Sequence, residues 1–93
     1  MDAQYTSEKI NSIWKNCKEI LKNIIPDLHY SSYIDSLELV DIVGDIAHFT
    51  VPYDFCINTL ETKYYNDIKN VLIESTGRQL TLSFHLINEY KPA

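Results

Sequence analysis

Glycine and proline are scarce in this chain, two and three in 93 residues, and cysteine is limited to Cys17 and Cys56. So little glycine and proline, beside 45% hydrophobic residues, excludes collagen-like and low-complexity disordered classes. Two cysteines far apart in sequence form neither a disulfide framework nor a metal knuckle. No apolar run approaches the roughly 20 residues that a bilayer-spanning helix needs. The opening MDAQYTSEK lacks the charged start and apolar stretch of a signal peptide. A Gly-rich phosphate loop is missing, and the carboxylates are not paired at a catalytic spacing. These absences predict a soluble, cytoplasmic, non-enzymatic protein with reduced thiols, no cofactor, no metal and no membrane partner. Residues 1–93 suit a single domain, which buries about 60–70% of its unfolded surface.

One more absence is local. Between Asp27 and Thr62 there is no Lys or Arg, while seven acids stand there: Asp27, Asp35, Glu38, Asp41, Asp45, Asp54 and Glu61. The flanking thirds each carry four basic residues against three acidic ones, so the middle holds the whole of the formal −5 charge. Affinity for phosphates is chiefly electrostatic, so this balance counts against nucleic-acid binding as the main task. Lys9, Lys15, Lys18 and Lys22 are the local exception.

What is present is strong periodicity. Thr6 or Ser7 caps a first helix whose apolar residues, Ile10, Ile13, Trp14, Cys17, Ile20, Leu21, Ile24 and Ile25, recur at spacings of three and four. Pro26 stops it. Asp27 is expected to cap a second, shorter helix with Leu28, Tyr30, Tyr33 and Ile34 on its apolar side, reaching as far as Leu37. The period then becomes two. Residues 37–42 and 45–51 read as a hairpin turning at Gly44, with Ala47, Phe49 and Val51 on one face and Ile46, His48 and Thr50 on the other. Pro52 ends the strand. Asp54 is expected to cap one long helix running to Ser75 or Thr76 and closing at Gly77, with Phe55, Thr59 or Leu60, Tyr64, Ile68, Val71 and Leu72 inward. Residues 79–87 alternate, with Leu80, Leu82, Phe84 and Leu86 inward. The expected fold is α+β, in the order α-α-β-β-α-β, with helices packed on one face of a small three-stranded sheet. Order is expected over about 6–87, with 88–93 a tail.

Five pieces in this order carry a resemblance. They are Ile13-Trp14, Tyr30-Ser31-Ser32-Tyr33-Ile34, Val51-Pro52-Tyr53-Asp54-Phe55, Lys63-Tyr64, and Ser75-Thr76-Gly77 with Leu82-Ser83-Phe84. The chain resembles the N-terminal domain, domain I, of the bacterial chromosomal replication initiator DnaA. It departs from that family at Tyr33, where the family has Trp, and at Tyr53, where it has Asn. The resemblance implies a KH-like fold and an interaction module for initiation of DNA replication. Such a module self-associates as a weak dimer, docks the replicative helicase and regulatory proteins, and binds at most weak single-stranded DNA. The family's linker, ATPase and DNA-binding domains are not expected within residues 1–93. An excised domain and a freestanding regulator that docks on the initiator or helicase both fit.

By position, the resemblance implies self-association at Trp14, with Ile13 and Cys17 beside it on the stripe, and helicase and single-strand contacts at Phe55 and His29. The acidic, tyrosine-bearing stretch adds Tyr30, Tyr53, Asp54 and Tyr65 as candidate partner-binding residues, and the basic strip of helix one adds Lys15, Lys18 and Lys22 as candidate single-strand contacts. Each has a bland reading beside it. Trp14 is either core or a half-exposed interface ring at the edge of its stripe. Phe55 either fills the sheet–helix corner or projects as an anchor. Seven tyrosines, five of them within residues 30–65, serve core or interface equally well. Tyr33 and Tyr64 are expected inward, Tyr53 and Tyr65 at the surface. The acidic stretch is either a solvating face or a surface for a basic protein partner. His48 and His85 are expected side by side on the outer sheet face, without a third ligand for a metal. The two glycines stand too far apart for the GxxG loop by which KH domains clamp nucleic acid.

Overall fold

The computed structural model describes residues 5–90. Helix α1 (Ser7–Ile24) is capped by Thr6, whose hydroxyl accepts from the Lys9 N–H, and carries Glu8 in its first turn. Pro26 redirects the chain into α2 (Asp27–His29), which continues as a π-helical turn over Tyr30–Ile34. The Asp35 N–H donates to the Tyr30 carbonyl, the five-residue step that defines the π form. Asp27 is inside α2 and does not cap it; Pro26 holds that position with no side-chain bond. Leu28, expected inward, is 75% exposed, because the π turn places Ile34 rather than Leu28 against the core.

Strands β1 (Glu38–Val43) and β2 (Ile46–Val51) form the hairpin, with Gly44 left-handed at φ 59° in the turn. Leu39 and Ile42 are both buried although three residues apart. A strict alternation would put them on opposite faces; a bulge between Leu39 and Asp41 resets the phase. Strand β3 (Thr81–Leu86) runs parallel to β2, giving the order β1-β2-β3 with β2 central. A parallel neighbour needs a crossover, and α3 (Phe55–Thr62) and α4 (Tyr65–Thr76) supply it. The α+β fold with its three-stranded mixed sheet agrees with the sequence expectation.

The long third helix does not. It breaks at Lys63–Tyr64, where Tyr64 takes φ −111°, ψ 2° and both the Lys63 and Tyr64 N–H groups converge on the Thr59 carbonyl. The reason lies in the spacing. Cys56, Leu60, Tyr64 and Ile68 are all buried and all four residues apart. Each such step overshoots a turn by about 40°, so a straight helix would have carried the stripe about 120° round by Ile68. The break recovers the phase. It also makes Cys56, and not Phe55, the first inward residue of α3; Phe55 is 63% exposed.

At the centre, Trp14 lies edge-on to Phe49 with ring centroids 5.0 Å apart, and Phe49 stacks on Phe84 at 5.3 Å. The Trp14 indole N–H donates to the Leu37 carbonyl at 2.7 Å. Far from that centre, the Arg78 guanidinium donates to the Gly44 carbonyl at 2.6 Å, to Asp45 at 3.3 Å and to the Tyr5 hydroxyl at 3.3 Å, tying the hairpin tip to the turn after Gly77. Gly77 itself is left-handed at φ 73°, as expected of a residue closing a helix. Of the residues 88–93 expected as a tail, 88–90 are described. The Glu89 and Tyr90 N–H groups both donate to the Leu86 carbonyl, and Tyr90 packs on the sheet's outer face; residues 91–93 lie outside the described part.

Trp14→Phe keeps most of the ring but strands the buried Leu37 carbonyl. Urea denaturation should show a stability loss of about 1–3 kcal/mol, the cost of leaving a buried acceptor unpaired.

Candidate protein-interaction surface

The corner where β2 passes into α3 is the most exposed aromatic feature of the described residues. Pro52 ends the strand, and the next two residues turn into the helix without a side-chain cap. Tyr53 and Phe55 then project from either side of Asp54 and stack on each other, with centroids 5.6 Å apart and planes 13° from parallel. They are 60% and 63% exposed. Two large rings held against each other in water form a pre-set apolar platform, and the acidic Asp54 between them is exposed too.

Behind the platform, α2 leans on α3. His29 Nδ1 is hydrogen-bonded to the Tyr64 hydroxyl, and the His29 ring meets Tyr33 and Tyr64 edge-on at 5.8 and 6.0 Å. Tyr64 is buried, and Tyr33 is half-buried at 6.3 Å from it, so both face inward as expected. Leu28, on the same short helix as His29, adds an exposed apolar side chain. Sequence reasoning missed it, because a leucine two residues after the proline that stops α1 reads as core.

Two expected partner residues lie elsewhere. Tyr65 is half-buried, and its hydroxyl accepts from the Leu82 N–H at 3.1 Å, satisfying a donor on the outer edge of β3. That is a structural duty, and the reading of Tyr65 as surface is corrected. Tyr30 turns to the opposite side of the π turn. It lines a groove of about 360 Å³ with Asn11, Trp14, Lys15, Lys18, Glu19, Lys22 and Glu38. Burial first, then Asp35 and Glu19, push the Tyr30 phenol above its usual pKa, so it stays a hydrogen-bonding neutral group.

The self-association set is corrected as well. Ile13, Trp14 and Cys17 are 9%, 3% and 0% exposed, so these side chains have little to offer a second molecule. Trp14 is held there by its bond to Leu37 and its packing on Phe49. Cys17 sits under α4, its thiol 3.4 Å from the Ser75 hydroxyl, and burial pushes it up; burial does the same to Cys56. Neither is a ready thiolate. The exposed part of α1 is its lysine face. Lys18 Nζ donates to the Asp35 carbonyl at 2.9 Å, bridging the groove, while Lys15 and Lys22 remain at the surface. Phe55 is not among the residues lining this groove, so the expected single-strand contacts do not gather in one place.

Residues 11–74 match the family model described as the DnaA N-terminal domain. The chain belongs to that family. Among relatives, it is 28% identical to the chromosomal replication initiator protein DnaA of Porphyromonas gingivalis over 83 residues, 89% of this chain and 18% of that protein. It is 26% identical to the same initiator from Geobacter sp. strain M21 over 80 residues, 86% of this chain and 17% of that protein. The chain thus spans less than a fifth of these curated relatives. In three dimensions it is similar to a chain in the crystal structure of a HobA-DnaA (domain I-II) complex from Helicobacter pylori. The TM-score is 0.68 at 19% identity, covering 81% of this chain and 97% of that one. A DnaA N-terminal domain is a protein-interaction domain and not a catalytic one. No described helix is long and apolar enough to cross a membrane.

In this DnaA N-terminal domain, Tyr65→Phe should lower stability by about 1 kcal/mol through the lost bond to the Leu82 N–H. Thermal or urea unfolding measures that loss; binding to any partner captured by the folded domain should not change.

Proposed function

We propose that this chain is a docking domain of a DNA replication initiator, receiving the replicative helicase or a regulatory protein at the Tyr53–Asp54–Phe55 corner. One observation carries this reading: two stacked, mostly exposed rings beside an acid, within a stretch of 36 residues (27–62) that holds no Lys or Arg. An aromatic anchor ringed by acids suits an apolar patch framed by basic side chains on the partner. His29, Tyr33 and Tyr64 stiffen the wall behind the platform, and Leu28 and Asp27 extend the surface along α2. Support for a protein partner comes from the fold neighbour, which was crystallised with HobA. The site of work is the cytoplasm, where chromosome replication takes place in bacteria.

Self-association belongs to the same reading, through the outward lysine face of α1 rather than through Ile13, Trp14 and Cys17. It is weak, because a short groove falls below the roughly 1,200 Å² that stable interfaces bury. A second reading, weak contact with single-stranded DNA, is favoured by Lys15, Lys18 and Lys22 beside the half-buried ring of Tyr30.

Tyr53→Ala with Phe55→Ala removes only exposed rings, so the fold should persist. Titration against the cognate helicase should then show at least about tenfold weaker binding, one hot-spot residue's worth. Unchanged affinity would refute the docking surface. For the second reading, Lys15→Glu with Lys22→Glu should abolish any oligonucleotide anisotropy change at low salt, while the Tyr53 and Phe55 variants leave it intact.

A further inference from the structure

The outer face of the sheet carries a cluster that docking at the α3 corner does not use. His48 on β2 and His85 on β3 stack with centroids 5.2 Å apart, and His48 Nδ1 lies 3.0 Å from His85 Nε2. The Ser83 hydroxyl lies 3.1 Å from the same Nε2. Tyr90 closes over both rings, 5.8 Å from His48 and 5.0 Å from His85. We propose that the His48–His85 pair and Tyr90 form a proton-controlled latch, which holds the segment after β3 on the sheet while the pair shares one proton or none, and releases it when both rings are charged.

The contact itself sets this rule. A nitrogen–nitrogen hydrogen bond needs one N–H and one lone pair, so at least one imidazole must be neutral. A first proton is tolerated, since a charged ring donates to its neutral neighbour and the face of Tyr90 attracts a cation. A second proton sets two N–H groups head-on in a site shielded by Tyr90. The rings must then part, and Tyr90 rests on both. Among the described residues, the groups facing the pair are few. Asp41 on β1 favours the charged form and so promotes the latch opening; Ser83 on β3 is neutral; and Tyr90, with its phenol raised first by burial and then by Asp41, is neutral as well. Burial first, and His85 second, hold His48 below the ordinary histidine value despite Asp41. The unfolded chain therefore binds more protons just below that ordinary value, about 6.5, and stability falls as pH drops through this window.

Among the described residues, Tyr90 is otherwise held by its N–H, which donates to the Leu86 carbonyl within its own turn. It also forms one wall of a groove of about 510 Å³ that includes Ile10, Val40, Thr50 and Ile87. Release of the latch widens that groove and frees its apolar wall.

The test is an NMR pH titration from 8 to 5 with a chelator present, following the ring signals of His48, His85 and Tyr90. The Trp14 indole N–H, bonded to Leu37, reports that the core is intact. The Tyr90 ring should shift with the second, lower histidine step and not the first. His85→Asn, which cannot take a second charge, should keep Tyr90 in place at pH 5. Tyr90→Ala should move the His48 midpoint up towards the ordinary value, a readout that requires no acid release. A Tyr90 signal indifferent to both histidine steps would overturn the latch. So would release in the His85→Asn variant at the native pH, or an unmoved His48 midpoint without Tyr90.

Discussion

The bond from the Trp14 indole N–H to the Leu37 carbonyl joins the first helix to the residue that leads into the sheet, and most of the molecule's shape follows from it. Leu37 is itself tied back, its N–H donating to the Ile34 carbonyl, so the π turn ends where Trp14 dictates. At the other end, Ile25 donates to Leu21 and Pro26 forces the chain out of α1. The twelve residues from Pro26 to Leu37 are therefore fixed at both ends and must arch over the space between. Trp14 can hold this position because its ring also packs on Phe49 of the central strand, and Phe49 on Phe84 of β3. One side chain thus registers α1, the arch and the sheet together. It is consumed by that task, and this is why the surface aromatics have to come from somewhere else.

They come from the corner after Pro52. A fully α-helical arch would advance every side chain by about 100° per residue. The π turn instead lets Ile34 take the core position and sends neighbouring side chains to opposite sides: His29 towards α3, Tyr30 towards the lysines of α1. The break at Tyr64 answers on the facing element. By leaving helical geometry there, α3 keeps Cys56, Leu60 and Tyr64 buried while its first residue, Phe55, is released to solvent beside Tyr53. Each irregularity moves a phase by a fraction of a turn, and together they decide which aromatic rings are seen from outside.

Period and punctuation were enough for the architecture. Thr6, Pro26, Gly44, Pro52 and Gly77 mark real boundaries, and the alternation of Ala47, Phe49 and Val51 marks the buried face of β2. The stacking of His48 and His85 also follows from alternation, once both strands lie in one sheet with β3 beside β2. What escaped a linear reading were the departures from ideal period: the bulge near Val40, the π turn and the break at Lys63–Tyr64. Nothing local announces them, because each is a compromise between elements distant in sequence. The same cause explains the site residues. Trp14, Tyr65 and Phe55 are all amphipathic or apolar rings on helix faces, and only the partner across the core tells which will be bonded to Leu37, which to Leu82, and which to nothing.

The uneven charge of the chain acquires its meaning from the same arch. Asp27 and Asp35 stand at its two ends, Asp54 at the aromatic corner and Glu61 further along α3, all exposed. The lysines of α1 lie on the other side, across the groove bridged by Lys18 and Asp35. Because His29 and Tyr30 point to opposite sides of one short segment, the acidic aromatic corner and the lysine groove are separate surfaces that share a wall. A partner held at one leaves the other accessible, and screening by salt weakens contacts of opposite sign at each. A domain with its charges mixed evenly could offer neither. Segregating them, with the arch as divider, lets 93 residues present two surfaces of different chemistry without enlarging the core.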